Sequence, residues 1–184
     1  MTALTACDLH RRFRPDWPLR FAELGSRLRH ALGAVALRID HIGSTSVPGL
    51  AAKPVIDIQV SVERLEPVVP FRDPLQELGF VYREGNTDRT KRYFREPPGQ
   101  PRTHIHVRTA GSFSQQVPLL FRDFPRARRE AAAGYEAVKR RLAARYPHDR
   151  QAYTDAKTPA VWDIIQRAEV WAQQVGWDPG PSNA

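Results

Sequence analysis

A turn rich in small polar residues and a lone carboxylate stand close together in the segment DHIGSTSVPGLAAKPVIDIQV, residues 40–60. The backbone N–H groups and hydroxyls of the turn at 43–45 can hold phosphate. Lys53 and Asp57 follow, and Mg²⁺ is usually held by one or two carboxylates together with substrate phosphates. The segment predicts a phosphate site beside a Mg²⁺ or Mn²⁺ site. The alternative is that Ser44 caps a helix and Asp57 pairs with Lys53 or an arginine.

A second chemical pattern is the pair His104 and His106 in THIHV. Side chains at i and i+2 of a strand project to the same face. If this strand neighbours the Asp57 strand, two imidazoles and one carboxylate converge, with His41 near the rim. Such a set suits Zn²⁺ or Ni²⁺ better than Mg²⁺, and His106 could instead act as a general base near neutral pH. The alternative is a hydrogen-bonded polar face of a sheet.

Hydrophobic periodicity indicates the elements that would position these residues. The middle of the chain reads as strands and the C-terminal third reads as helices, which is an α/β (α+β) pattern. The predicted elements are a helix from Asp16 as N-cap to Gly33, strands 36–42 and 55–62, a short helix ending at Gly79, strands near 80–83, 91–95 and 103–108, and helices from 114 onward, the last one opened by Thr158-Pro159 and ended by Gly176.

Composition narrows the class of protein. With 184 residues, 41% of them hydrophobic, the chain is expected to form one domain over 13–176, with flexible termini at 1–12 and 177–184. The net charge of +8 favours anionic partners. A single cysteine, Cys7, excludes a disulfide framework within one chain, and no apolar run is long enough to span a membrane. We expect a cytoplasmic protein without a membrane partner.

Basic residues outside the first segment offer further anion contacts. Arg92 on a predicted strand or Arg122 at the start of the helical third could clamp a triphosphate bidentately, and the alternative for each is an ion pair. The runs RDFPRARRE and KRRLAAR are the most basic part of the chain. They indicate either a solvated helix face or an RNA-binding surface. Pro125 lacks an N–H and leaves the helix boundary there open.

The string IDHIGSTSVPGLAAKPVIDIQVSV resembles the hallmark segment of the GrpB family. RPDWPLRF, RYFR, HIHV, LLFRDF and YEAVKRRLA extend the resemblance over roughly residues 13–172. This family has a nucleotidyltransferase-like fold and also occurs as a domain appended to some dephospho-CoA kinases. The resemblance implies a mixed sheet flanked by helices, with Gly43 and Ser44 as the Gly-Ser turn of the superfamily and Asp57 as its first metal carboxylate.

The sequence departs from the catalytic pattern of that superfamily at Gln59. Active nucleotidyltransferases usually carry a second carboxylate two residues after the first, and an amide cannot replace its charge at a two-metal centre. Gln59 is expected to point into the same cleft as Asp57. The charge deficit casts doubt on ordinary two-metal transfer.

We therefore predict a nucleotidyltransferase-like protein that binds an NTP or another phosphorylated small molecule, with nucleotidyl transfer to a small acceptor as its reaction if it has one. The rivals are a non-catalytic nucleotide or metal sensor and an RNA-binding module. The oligomeric state is not predicted. The predicted site comprises Asp57 and His106 as catalytic residues, Gly43, Ser44, Thr45, Lys53, Arg92 and Arg122 as ligand contacts, and Asp57, His104 and His106 as metal ligands.

Overall fold

The structure, a computed structural model, describes residues 13–184, so Cys7 and the expected flexible segment 1–12 lie outside it. The described part forms a five-stranded sheet and five α-helices. The strands are β1 (Arg38–Ile42), β2 (Ile56–Val62), β3 (Val81–Tyr82), β4 (Arg92–Arg95) and β5 (Thr103–Thr109), and the helices are α1 (Asp16–Leu32), α2 (Val69–Glu77), α3 (Phe113–Ala127), α4 (Arg129–Arg145) and α5 (Arg150–Val175). The predicted α/β fold with a mixed sheet and a helical C-terminal third is confirmed.

The sheet has the strand order β1-β2-β5-β4-β3, in which only β2 and β5 pair in parallel. Its register places Asp57 opposite His104 and Gln59 opposite His106. Because side chains alternate along a strand, these four share one face. The other face is apolar and packs against α1 and α2 to form the main core. The sheet therefore separates a core face from a polar face.

A second core joins the helical third of the chain to the loop after β1. Val47 and Leu50 from that loop pack among buried side chains of α3, α4 and α5, including Tyr135 and Ile164. The loop that carries the Gly-Ser turn is thus held by the helices as well as by the sheet. No helix within residues 13–184 has the length and apolar character needed to cross a membrane.

Two helix starts differ from the prediction. Asp16 is the first residue of α1 instead of its N-cap, and its carboxylate accepts hydrogen bonds from Arg14. The last helix does not open at Thr158-Pro159. It begins at Arg150, where Asp149 caps it by accepting the Ala152 N–H, and continues through Pro159.

Packing explains why α5 tolerates an interior proline. A proline removes one helical hydrogen bond, but α5 buries Tyr153 before Pro159 and Ile164 and Ala168 after it. The helix ends at Gly176, as predicted, in the left-handed conformation. In the same way α3 continues through Pro125 as far as Ala127.

The C-terminal residues, expected to pack little, lie along the edge strand β1. Backbone N–H groups of Asn183 and Ala184 donate to the Ile39 carbonyl, and the Asn183 side chain accepts the His41 N–H. The Ser182 hydroxyl accepts the Ile39 N–H. An edge strand presents unpaired backbone groups, and these residues satisfy some of them.

A buried ion pair ties α3 to this edge. Arg122 is 2% exposed, and it contacts Asp40, which is fully buried, and Asn183. Truncating one partner of a buried pair typically costs 3–5 kcal/mol, and Arg38 still neutralises Asp40. We expect Arg122→Met to lower the free energy of unfolding by about 3 kcal/mol, measured by urea denaturation.

Arg64→Met is the matched control for that measurement, because Arg64 pairs with Glu63 at the exposed surface. It should change the free energy of unfolding by less than about 0.5 kcal/mol. Equal losses in the two variants would contradict a structural role for Arg122.

Candidate metal and phosphate site

Asp57, His104 and His106 meet on the polar face of the sheet. Nδ1 of His104 lies 2.9 Å and Nε2 of His106 lies 3.4 Å from Oδ1 of Asp57. One potential ligand atom from each residue lies within 4.8 Å of the other two. The side chains keep 27%, 15% and 14% of their surface exposed, in the order Asp57, His104, His106. The cluster is therefore open to a small ligand.

The protonation states follow from burial and hydrogen bonding. Burial alone would raise the pKa of Asp57, but the hydrogen bonds from His104 and His106 outweigh it and hold the pKa well below its usual range. Burial lowers the pKa of His106, against the opposing effect of Asp57. At neutral pH the carboxylate is charged and His106 is a neutral donor to it.

Gly43 brings the Gly-Ser turn against Asp57. Its φ of +73° lies in a region that side chains disfavour. A Cβ at this position would lie 2.8 Å from Oδ2 of Asp57. Glycine is thus required twice, by the backbone and by the close approach of the carboxylate.

Lys139 of α4 reaches the same turn from the helical side. Its Nζ donates to Oγ of Ser44 at 3.2 Å and to the Ala51 carbonyl at 2.6 Å. Only 5% of Lys139 is exposed, and burial, helped by the charge of Lys157, lowers its pKa to about 7. The amine is poised between its charged and neutral forms beside the predicted phosphate turn.

Lys53 and Lys157 complete a group of three lysines, in which the charge of Lys157 acts on both Lys53 and Lys139 and the ring of Tyr153 on α5 lies beside Lys53 and Lys157. Their Nζ atoms lie 5.0 Å and 5.8 Å from the centre of the Tyr153 ring. Burial lowers the pKa of both, that of Lys53 to about 8 with help from Arg150, while Asp57 opposes the shift at Lys157. The chain has only four lysines beside 24 arginines, so three of the four converge here.

Two residues of the predicted site serve the fold instead of the cleft. The Thr45 hydroxyl is buried and donates to the Val55 carbonyl. It accepts from Nε2 of His41 at 3.0 Å. His41 lies on the core face, stacked on Phe21, where burial lowers its pKa to about 3. It is therefore not at the rim of the cluster.

The two predicted arginine contacts are also not brought to the cluster. Arg92 is paired with Val107 in the register, so it lies on the core face, and its guanidinium contacts Glu66. Arg122 is buried against Asp40 and also contacts Asp123. Both make ion pairs, which was the stated alternative for each.

Gln59 shares the face of Asp57, as expected, but its amide is engaged. Nε2 donates to the Gln115 carbonyl at the start of α3, and Oε1 accepts from Nη1 of Arg108, both at 2.9 Å. The residue is fully buried. Its amide bridges the sheet and α3 instead of facing an open metal position.

Sequence reasoning missed Lys139, Lys157 and Arg108. Lys139 follows the buried Tyr135 by four residues, a spacing that places both on one helix face, although KRR reads as solvated. Lys157 could not be placed, because the helix was expected to begin after it. Arg108 continues the i, i+2 pattern of His104 and His106, and this pattern was the available signal.

The order and pairing of the strands are those of a nucleotidyltransferase-like fold. The structure superposes on the Cid1 poly(U) polymerase with MgGTP bound, with a TM-score of 0.52 and 16% identity, over 76% of this chain and 46% of that one. At this identity the likeness concerns the fold. The chain itself belongs to the GrpB family, whose profile, described as GrpB protein, matches residues 11–167.

Relatives within the family support this assignment. The crystal structure of GrpB from Enterococcus faecalis is 30% identical with a TM-score of 0.79, over 88% of this chain and 98% of that one. A dephospho-CoA kinase of Mycolicibacterium paratuberculosis is 37% identical over 191 residues, covering 90% of this chain and 47% of the kinase. The chain thus spans about half the length of that relative, which agrees with the expected occurrence as an appended domain.

The contact between Gly43 and Asp57 can be tested against a glycine that lacks it. Gly49 has a φ of +80° but nothing within 4 Å of an added Cβ. We expect Gly49→Ala to cost about 1 kcal/mol from the backbone alone. Gly43→Ala should cost about 2 kcal/mol more, because Asp57 or the turn must also move. Urea denaturation gives both values, and equal costs would show that the carboxylate does not press on the turn.

Proposed function

We propose that the cleft binds a nucleoside triphosphate, or another phosphorylated small molecule, together with a divalent metal ion. The observation that carries this proposal is the convergence of Lys53, Lys139 and Lys157 beside the Gly-Ser turn and Asp57. Three partly buried cations repel one another, and their lowered pKa values reflect an environment that disfavours charge. A phosphate chain would neutralise them, and lysine is a common phosphate contact.

The donor set of Asp57, His104 and His106 fits a divalent transition metal. Two imidazole nitrogens and one carboxylate oxygen suit Zn²⁺, Mn²⁺ or Ni²⁺, and the same combination holds Fe²⁺ in oxygenases. Mg²⁺ prefers oxygen ligands and is favoured only if phosphate oxygens supply most of them. A bound ion would supply Lewis-acid polarisation of a phosphoryl oxygen.

The outer nitrogens of the two imidazoles limit the affinity for metal. Nε2 of His104 and Nδ1 of His106 are buried without a hydrogen-bond partner among the described residues. Ligating histidines usually donate that second N–H to an acceptor, which orients the ring. We therefore expect metal binding to be weaker than at a structural zinc site, and strengthened when a nucleotide adds its phosphate oxygens.

Nucleotidyl transfer is the reaction that such a ternary complex would perform. The acceptor oxygen attacks the α-phosphorus of the NTP, the bond to the β-phosphate oxygen breaks, and pyrophosphate leaves with the bonding electron pair. The acceptor proton needs a base. His106 can accept it at Nδ1 only while Nε2 keeps its proton and donates to Asp57. One imidazole therefore cannot be the metal ligand and the base at the same time.

Binding without transfer is the second candidate function, and Gln59 favours it. Its amide is committed to Gln115 and Arg108, so the second carboxylate of a two-metal centre is missing. Of the basic helical residues considered for RNA, Arg122 is buried and Arg126 donates to the Ser46 carbonyl. These two support the fold, so an RNA-binding function would have to use the remaining basic helical residues, and its affinity would fall steeply with salt.

Metal binding is tested by the stability of the protein in Mg²⁺, Mn²⁺, Zn²⁺, Ni²⁺ and Fe²⁺, each with and without ATP. A ligand present at 100 times its Kd stabilises the native state by about 2.7 kcal/mol. We expect this gain for at least one transition metal and its loss in His104→Ala and in His106→Ala. His30→Ala, an exposed histidine on α1, should keep it. Equal gains in all four proteins would place the metal elsewhere.

Nucleotide binding should be coupled to proton uptake. The pKa of Lys139 is lowered to about 7, so its amine is mostly neutral at pH 8 in the free protein. A bound phosphate would raise that pKa and draw a proton from the buffer. Calorimetry with ATP at pH 8, in buffers of different ionisation enthalpy, should show uptake of a substantial fraction of a proton, and smaller uptake at pH 6.

Lysine variants test whether the three-lysine group takes up that proton and provides the affinity for ATP. Lys139→Met should abolish the uptake, and Lys157→Met should weaken ATP binding by about tenfold. Lys91→Met is the control, because Lys91 pairs with Asp88 and stands outside the group. Wild-type ATP affinity in Lys139→Met and Lys157→Met would refute the proposed phosphate site.

A further inference from the structure

Arg108 lies on the polar face of the sheet, beyond the histidines. It follows His106 by two residues on β5 and stands opposite Ser61 of β2 in the register. At about 3.3 Å per residue, its backbone lies about 6.6 Å past that of His106. The Gly-Ser turn is at the other end, because Ile42, the residue before Gly43, pairs with Asp57. Arg108 and the Gly-Ser turn therefore lie on opposite sides of the cluster formed by Asp57, His104 and His106.

One edge of the Arg108 guanidinium is anchored and the other is free. Nη1 donates to Oε1 of Gln59, whose own Nε2 is fixed by the Gln115 carbonyl. Nε is buried and has no hydrogen-bond partner, and across residues 13–184 no side-chain hydrogen bond or ion pair involves Nη2. The side chain is 8% exposed. The free Nε and Nη2 pair is the geometry that receives an oxyanion bidentately.

The nearest acidic groups do not satisfy this edge. Asp88 attracts Arg108 but does not contact it, since its carboxylate accepts from the Thr90 N–H and hydroxyl and pairs with Lys91. Ser61, opposite Arg108, also has a buried hydroxyl with no hydrogen-bond partner in the described part of the chain. Buried polar groups are rarely left unpaired. Nε of Arg108 and the Ser61 hydroxyl lie side by side and both lack a partner among residues 13–184, which suggests that an atom of a ligand in the cleft contacts them.

We propose that the Nε and Nη2 edge of Arg108, with Ser61 beside it, binds an oxyanion, carboxylate or phosphate, carried by the molecule that shares the cleft with the nucleotide. The presence of a nucleotide in the cleft rests on the proposed function, whereas the oxyanion contact rests on the geometry of Arg108 alone. In nucleotidyl transfer that molecule is the acceptor. The acceptor predicted here is an acidic small molecule, held at the end of the cleft opposite the triphosphate.

The same contacts explain the amide at Gln59. A carboxylate at this position would pair with Arg108 and neutralise it, leaving little attraction for a ligand anion. An amide accepts from Nη1 without cancelling the charge, and it also donates to Gln115. Gln59 is therefore a positioning residue for Arg108.

The test follows the Nε–H resonance of Arg108 in the wild-type protein, without metal or nucleotide, during titrations with inorganic phosphate and with acetate. A saturable shift with phosphate alone supports a phosphorylated acceptor, and a shift with acetate alone supports a carboxylate. Response to both supports an oxyanion site without preference between them. If the Arg108 resonance follows neither anion, the proposal is overturned.

Variants separate the site from general charge effects. Arg108→Gln should weaken binding of the effective anion at least about tenfold, as expected for a lost charged hydrogen-bonding pair. Gln59→Leu keeps the charge but frees the guanidinium, and should weaken binding about threefold and broaden the Nε–H resonance. Arg92→Gln removes an arginine from the opposite face of the sheet and should change nothing. Equal weakening by Arg108→Gln and Arg92→Gln would overturn the proposal.

ATP binding, measured in the same proteins, distinguishes this inference from the proposed function. Failure of ATP to bind the wild type, with the Arg108 response intact, would remove the proposed function and leave the oxyanion site. ATP binding without any response of the Arg108 resonance would overturn the oxyanion site and leave the proposed function in place.

Discussion

The partly buried carboxylate of Asp57 is the constraint around which this structure is built. A charge removed from water must be compensated by hydrogen bonds or opposite charge. Two imidazoles from the neighbouring strand supply the hydrogen bonds, and Lys157 supplies nearby positive charge. Gly43 leaves room for the carboxylate where any side chain would collide with it. One charged group is thus accommodated by the Gly-Ser turn, by the register of the sheet and by the helix that carries Lys157.

The helical third of the chain contributes to the cleft as much as the sheet does. Val47 and Leu50 bury the loop after β1 among the helices, and Arg126 fixes the carbonyl of Ser46 inside it. Lys139 reaches the turn from α4. Crowding cations against one another and out of water lowers stability, and the packing of the two hydrophobic cores offsets this cost.

The strands of the sheet could be predicted well from the sequence, whereas the boundaries of the helices that cover it could not. Period-two alternation located β2 and β5 and placed Asp57, His104 and His106 on common faces, because that signal is local. Strand order is not local, so their convergence stayed conditional until the structure supplied the parallel pairing. The positions of the lysines on α4 and α5 could not be predicted, for a different reason. Proline normally marks a boundary, whereas here the packing of Tyr153 and Ile164 carries α5 past it.

The parallel pairing of β2 with β5 also has a consequence for how the chain folds. Between the two strands the chain must pass through α2, β3 and β4. Asp57 and the histidines therefore belong to segments that are distant along the chain, and contacts of this kind close slowly because loop entropy is lost before they form. A chain that has folded only its local helices lacks the proposed ligand cleft. A ligand of that cleft would therefore stabilise only molecules in which β2 and β5 have already paired, so its binding would report the completion of the sheet.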